Sequence, residues 1–283
     1  LHHFFFLLTF CLTPLLMARS INVGIDIGTY QVKVVVTELI REEGKNTPRI
    51  LGTGIAESKG LRHGYIINTE DVTESVILAV AQAEKASGVS ITRAYISVGG
   101  IGLSGVTAVG QTVVSRADLE ITELDLEKVA DACEAEIPPA LIQNRRILHP
   151  IPISYKIDGK VVIGNRPLGM RGSKLEAKML FVTCLEPHLA DLIQAVDRAG
   201  IKVIDVLASP IVASVVTLTK AQKIAGCVLA NIGAETISIV VYENNIPISL
   251  EVFPIGSTDI THDIALGLKV PIEEAESIKM GAV

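Results

Sequence analysis

The sequence predicts an α/β protein made of two related halves, with a small α+β module inserted into the first half and the second half incomplete. Three observations carry this. Two stretches 205 positions apart are copies of one device, Val23 to Glu38 (VGIDIGTYQVKVVVTE) and Val228 to Glu243 (VLANIGAETISIVVYE). Hydrophobic residues make up 49% of the chain but aromatics only 4%, with no Trp, so Val, Ile, Leu and Ala must build the core, as in buried α/β sheets. From about Ile101 the pattern changes to Gly-spaced, β-prone segments around one helix.

Each copy is an apolar strand, an (Asp/Asn)-Ile-Gly turn and a second strand rich in Val and Ile. In register, Asp26 meets Asn231, Gly28 meets Gly233 and Val35 meets Val240. A Gly at such a turn lets the backbone bend sharply and brings its N–H groups close to a ligand. An acid just before it can hold a metal or a water. Two such hairpins suggest two jaws closing on the phosphates of one nucleotide; the alternative is two unrelated hairpins with Gly turns.

The remaining elements follow in order. Ile50 to Ala56 is a third strand, and SKGLRHGYIINTEDV makes a Gly-punctuated connection. A helix runs from about Glu70 to Ser87, with Val72, Val76, Ala79, Val80 and Ala83 at helical spacing and Gly88 placed as its cap. Ile91 to Gly99 closes the unit as a strand, giving the order of a ribonuclease-H-like half-domain. In the inserted stretch, Thr122 to Asp125 gives a capping-box start, and Leu126, Val129, Ala130 and Cys133 form the stripe of one helix. Arg146 to Ile157, with Pro150 and Pro152, is a bent or edge strand, and Leu175 to Cys184 another. A helix over Glu186 to Ala199, a strand over Ile201 to Leu207 and a helix over Pro210 to Lys220 lead to the second hairpin at Cys227. Ile246 to Val252 is its third strand, Ser257 to Leu268 its helix, and Pro271 starts a last helix at its first position. The division expected is 17–100 with 181–220, the insert over 101–180, and 221–283 as the start of the second half.

The net charge of −6 and pI near 5.6 give no sign of a nucleic-acid partner, which would call for a basic face. Cys11, Cys133, Cys184 and Cys227 form no short-spaced cluster, so neither zinc nor a disulfide framework is indicated, and they fit a reducing cytosol. The six histidines show no ligand spacing. Residues 1–16, LHHFFFLLTFCLTPLL, are apolar but lack a basic flank; Phe4 to Leu16 is short for a membrane span and is interrupted by Pro14. The expectation is translated upstream sequence ahead of Met17, outside the fold. Arg166, Arg171 and Lys174 suit contact with an acidic partner or the next subunit, or form a solvated basic loop.

GIDIGTYQVKVVV, SKGLRHGYIIN with AYISVGG, NRPLGMRGSKLEAKMLFVTC and PIGSTDITHDIALGLKVPIEEAESIKMG together resemble the FtsA family of bacterial actin-like cell-division proteins, over Asn22 to Gly281. The turn motifs alone are shared with actin, sugar kinases and heat-shock chaperones; the insert makes the resemblance more specific, with the PilM pilus-assembly family as its nearest competitor. The resemblance implies an actin-like fold with an SHS2-type (1C) insert, ATP bound with Mg²⁺ between the halves, and head-to-tail self-assembly. It also implies binding of FtsZ and other division proteins, and a place on the inner face of the membrane at the septum. The membrane link would run through a C-terminal amphipathic helix that these residues do not include, and the chain resembles a C-terminally truncated member. Carried over by position, Gly28, Thr29 and Tyr30 offer N–H groups to phosphates, Lys33 adds charge or is a solvated strand residue, and Asp26 holds Mg²⁺ through water. Gly233, Ala234, Glu235 and Thr236 form the opposite jaw with Asn231.

The second jaw departs from the family's Asp-Ile-Gly-Gly-Gly-Thr. Asn231 brings no negative charge, and Ala234 and Glu235 stand where glycines are usual. A Glu235 carboxylate pointing inward would weaken phosphate binding unless Mg²⁺ bridges; the expectation is that it faces solvent. Ser209-Pro210 offers no carboxylate or amide to orient a water, so ATP binding is expected over fast turnover, at most a weak ATPase. Two other readings are a PilM-like pilus scaffold and, from another class, a sugar-kinase-type phosphotransferase, which the insert fits badly.

Overall fold

The structure, a computed structural model, describes residues 20–42 and 45–281; the apolar leader call at 1–16 lies outside them. β1 (Ser20–Ile27) and β2 (Gln31–Glu42) form the first hairpin, and β3 (Lys45–Glu57) adds antiparallel to β2. Alternation drives the pairing: Val23, Ile25 and Ile27 of β1 and Val32, Val34 and Val36 of β2 are buried, every second residue, as the pleat requires. A short hairpin, β4 (Leu61–Arg62) with β5 (Tyr65–Ile66), leads into α1 (Thr69–Ser87). Asn68 starts that helix by accepting the Glu70 N–H at 3.1 Å, and Gly88 ends it in the left-handed conformation, φ 68°. β6 (Arg93–Val98) then pairs parallel to β1.

The next stretch builds a second sheet. β7 (Leu103–Val113) is followed by α2 (Glu123–Ala135), the short α3 (Pro139–Ile142), β8 (Arg145–Ile157), β9 (Lys160–Val161) and β10 (Lys174–Leu185), in the spatial order β7-β10-β8-β9. Thr122 and Asp125 cap α2 as expected, the Thr122 N–H donating to Asp125 Oδ2 at 2.9 Å. The expectation of a single helix in this stretch needs correcting. The three main strands are 11, 13 and 12 residues long, and a second, one-turn helix follows Pro138. Pro150 and Pro152 do sit at an open edge, since β9 reaches β8 only at Lys156 and Ile157.

β10 then runs into α4 (Glu186–Arg198), and β11 (Lys202–Ala208) returns to the first sheet, completing the order β11-β6-β1-β2-β3. The helix expected over Pro210 to Lys220 is two: α5 (Ser209–Thr217) stops, and Thr219 caps a fresh start at α6 (Lys220–Ala225), accepting the Gln222 N–H. The second hairpin, β12 (Cys227–Ile232) with β13 (Ile237–Glu243), is joined by β14 (Ile246–Phe253), then α7 (Ser257–Leu268) and α8 (Ile272–Lys279). Pro271 stands one residue before α8, as its cap.

The 205-residue offset holds at the level of pairing. Asp26 faces Lys33 across the first hairpin and Asn231 faces Ser238 across the second; Gly24 faces Val35 and Leu229 faces Val240. Packing against these sheets is close. An added Cβ on Gly54 would stand 1.9 Å from the Ala79 carbonyl oxygen, so α1 lies directly on the backbone of β3. β10 is buried on both faces over its second half: Leu175, Ala177, Met179 and Phe181 enter the core of the inserted sheet, while Leu180, Val182 and Cys184 enter the main core.

Two histidines pin the join. His149 of β8 accepts the Ala208 N–H on Nε2 at 3.0 Å, which requires a neutral ring. His188 of α4 is 4% exposed, with Nε2 3.3 Å from the Gly99 carbonyl and its ring edge-on to Tyr65. Burial lowers both pKa values, against smaller opposing pulls from Asp205 on His149, and from the Gly99 carbonyl and Asp191 on His188.

Two predictions follow from this packing. Gly54→Ala should cost about 3 kcal/mol in urea unfolding, because backbone on both sides must move; a change below about 0.5 kcal/mol would contradict the close approach. A histidine whose pKa is lowered by folding contributes stability that is complete above its unfolded value of about 6.5 and is lost as pH falls toward the folded value. Unfolding free energy should therefore decline as pH drops from about 6.5 to 5, and His149→Gln should flatten that decline. An unaltered slope in the variant would assign the effect elsewhere.

Candidate functional site

The site is built from two turns of one geometry. In the first, the Gly28 N–H donates to the Gln31 carbonyl at 3.1 Å; in the second, the Gly233 N–H donates to the Thr236 carbonyl at 2.9 Å. An added Cβ on either glycine would stand 3.1 or 3.0 Å from that same carbonyl, a tight contact at the same place in both turns. The turn closure spends the N–H of Gly28 and of Gly233, so the expectation that Gly28 offers its N–H to a ligand is corrected. The N–H groups of Thr29 and Tyr30, and of Ala234 and Glu235, have no partner among the described residues. Each turn thus presents two adjacent free donors at the same offset from its glycine, an arrangement that suits an anion.

Asp26 lies between Lys33 on β2 and Ser97 on β6, and its Oδ1 accepts the Ser97 hydroxyl at 2.5 Å. Lys33 is exposed and forms no ion pair with a described residue. On the second hairpin Asn231 is exposed, its side chain has no partner among the described residues, and the position facing it holds Ser238 in place of a lysine. The donor set suits a hydrated Mg²⁺ in preference to a protein cage. Among the described residues no three His, Cys, Asp or Glu side chains cluster, and a single carboxylate with one oxygen free is how Mg²⁺ is commonly held through water.

Both turns lean on the segment from Ser58 to Gly64. The Ser58 N–H donates to the Tyr30 carbonyl at 3.0 Å. Glu235 reaches the same segment from the other half: its carboxylate accepts the His63 N–H at 2.5 Å, and its carbonyl lies 3.1 Å from His63 Nδ1. The expectation that Glu235 faces solvent is therefore overturned, because a backbone N–H on the tip of the β4–β5 hairpin captures its carboxylate. That tip is itself seated by a glycine pair, an added Cβ on Gly64 falling 2.4 Å from the Gly100 Cα. Ser209 stands beside Gly99, with 3.8 Å from its Cβ to the place a Gly99 Cβ would take. Ser209 brings only a hydroxyl to this floor.

Three contributors escaped the sequence reading. Ser97 had a signal, since a strand paired parallel to β1 and ending at Gly99-Gly100 puts a residue beside Asp26. His63 sat in a stretch read as a mere connection, although Gly60, Gly64 and Gly100 marked close backbone approach. Thr258 carries a third contact, its hydroxyl and its N–H (2.8 Å) both donating to the Ala234 carbonyl. Nothing in the local pattern announces it.

Comparison with known proteins gives the chain its relatives. A sequence profile of the cell division protein FtsA matches residues 228–283, and a profile of the SHS2 domain inserted in FtsA matches residues 100–183. The chain is 34% identical over 266 residues to the cell division protein FtsA of Borreliella burgdorferi, covering 94% of this chain and 63% of that protein. It is 31% identical to that of Pseudomonas aeruginosa (91% and 60%) and 32% identical to that of Bacillus subtilis (92% and 58%). The chain thus spans about three fifths of the length of these relatives. Among solved structures, the PilM-PilN type IV pilus biogenesis complex superimposes with a TM-score of 0.64 over 92% of this chain and 69% of that one, at 15% identity, a likeness of fold. With an actin-like α/β fold, an inserted SHS2 domain and these relatives, the chain belongs to the FtsA family of cell-division proteins.

Proposed function

We propose that the two turns bind the phosphates of one nucleotide, ATP with Mg²⁺, and that the chain is the nucleotide-binding portion of a division protein. The observation that carries this is the pair of turns in matching register, each offering two adjacent unpaired N–H groups. Backbone donors of this kind recognise phosphate oxygens without a cationic side chain. In this reading Thr29, Tyr30, Ala234 and Glu235 donate, Gly28, Gly233 and Thr236 close the turns, and Asp26 orients a hydrated Mg²⁺ held by Ser97. Lys33 and Asn231 flank the phosphates.

The protein's role would be nucleotide-dependent self-assembly at the septum, linking FtsZ filaments and other division proteins to the inner face of the membrane. Family membership supports that role. Attachment is proposed as peripheral; among the described residues no helix is long and apolar enough to cross a membrane. Ser209 places no carboxylate or amide beside Gly99, so hydrolysis would be slow and would serve to switch assembly states.

Calorimetry of Mg-ATP with the full-length protein tests the site. Asp26→Ala should weaken binding at least about tenfold, or ~1.4 kcal/mol. Binding equal to that of the unmodified protein would remove Asp26 from the site, and no binding by the unmodified protein would sink the nucleotide reading. Glu235→Gln separates the two tasks of that side chain. It should cost about 1 kcal/mol of stability through the weakened bond to His63. It should also tighten nucleotide binding about fivefold, as repulsion of roughly 1 kcal/mol is removed. Unchanged affinity would mean that the carboxylate stays on His63 and away from the phosphates.

A further inference from the structure

The first turn of α7 is where the second phosphate turn is aimed, and we infer that Thr258 is its positioning residue. This rests on the nucleotide reading above. In a trans peptide the C=O and N–H of one unit point in opposite directions, and the described chain has no cis peptide. The Gly233 carbonyl and the Ala234 N–H belong to one unit; the Ala234 carbonyl and the Glu235 N–H belong to the next. Both carbonyls are held from the α7 side. The Ser257 N–H donates to Gly233 at 2.9 Å, while the Thr258 N–H and the Thr258 hydroxyl both donate to Ala234. The two free N–H groups are thereby turned away from α7.

A helix start leaves its first N–H groups without partners inside the helix, and anions commonly collect there. Here those donors are already spent. The Gly256 N–H goes to Asp259 Oδ2 at 2.7 Å, and the next two go to the turn. The helix start therefore serves the turn and leaves the turn to meet the ligand. Gly256 makes the approach possible, since an added Cβ there would stand 2.3 Å from the Ala234 oxygen and 2.6 Å from the Glu235 nitrogen.

α8 fixes the helix start from behind. The Lys279 ammonium donates to the Ser257 carbonyl at 3.2 Å and to Thr261 Oγ1 at 2.8 Å, and the Glu276 carboxylate takes both the Thr261 hydroxyl and Lys279 at 2.6 Å. The first turn has no such brace: its Tyr30 carbonyl accepts the Ser58 N–H, and the Gly28 and Thr29 carbonyls have no backbone partner of this kind among the described residues. The second turn is thus the pre-aimed half of the pair.

The test compares Thr258→Val, which keeps shape and N–H but loses the hydroxyl, with Thr258→Ser, which keeps it. Mg-ATP affinity of the full-length protein is measured by calorimetry, and folding by thermal unfolding, with Thr258→Ala as a second hydroxyl-free variant. The expected result is affinity weakened about tenfold in Thr258→Val and Thr258→Ala, and within about twofold of the unmodified protein in Thr258→Ser, at matched melting temperatures. Affinity retained in the hydroxyl-free variants, or lost equally in Thr258→Ser, overturns the inference and leaves the nucleotide reading standing. No nucleotide binding by the unmodified protein overturns that reading and this inference with it.

Discussion

The burial of β10 on both faces is the constraint on which the rest of the molecule depends. A strand sends alternate side chains to opposite sides, so one strand can belong to two cores if both faces are apolar. From Met179 to Cys184 it does: Phe181 closes the inserted core while Leu180 and Val182 sit in the main one. Beside it, Gly105 of β7 lets the backbone of β14 come within 2.9 Å of where its Cβ would be, at the Leu250 oxygen. Leu250, fully buried, joins the same main core. The three sheets therefore meet at one joint. Because the second hairpin is carried on β14, that joint sets where the second turn stands relative to the first.

Given that placement, the two turns are held mostly by backbone. Tyr30, His63, Gly100, Gly233 and Ala234 take part through carbonyls and amides, and the side chains that join them, Ser97, Glu235 and Thr258, do so by satisfying a polar group. Accounting for every N–H and C=O is what separates donors that close the turns from donors left for a ligand. It also shows where the one anionic side chain of the second turn goes. The Glu235 carboxylate is taken up by the His63 N–H, across from the donors its own backbone contributes to.

The large features were legible because they rest on periodicity and caps. The α1 stripe from Val72 to Ala83, the Thr122–Asp125 box and the duplicated hairpin are local patterns, and all three form where the sequence puts them. What escaped was non-local or depended on a single polar atom. Thr219 breaks the helix after α5 because its capping alternative competes with continuation, which apolar spacing over Pro210 to Lys220 does not register. β8 and β10 were legible to within a residue at each end, and Gly105, Gly110, Pro150 and Pro152, residues that usually end strands, here mark the approach of β14, the close packing of α2 or an open edge. At the candidate site, the two glycine turns could be read from the motif. The destination of Glu235 could not, since His63 lies 172 positions away.

The departures in the second turn look different once the backbone is considered. Glycine is demanded where φ is positive or where another atom occupies the place of a Cβ. Ala234 and Glu235 meet neither condition: neither has a positive φ, and the close contact on the two of them comes from Gly256 across from them. A side chain at either position therefore leaves the two N–H groups free. The tightest contact of this half falls on Gly256, at the start of the helix that holds the turn. On the nucleotide reading proposed above, Asn231 fits the same logic, because a site whose donors are peptide groups, with Asp26 on the opposite hairpin, needs no second carboxylate facing an anion. What the motif lost in glycines, the packing of α7 against the turn supplies in fixed peptide orientation.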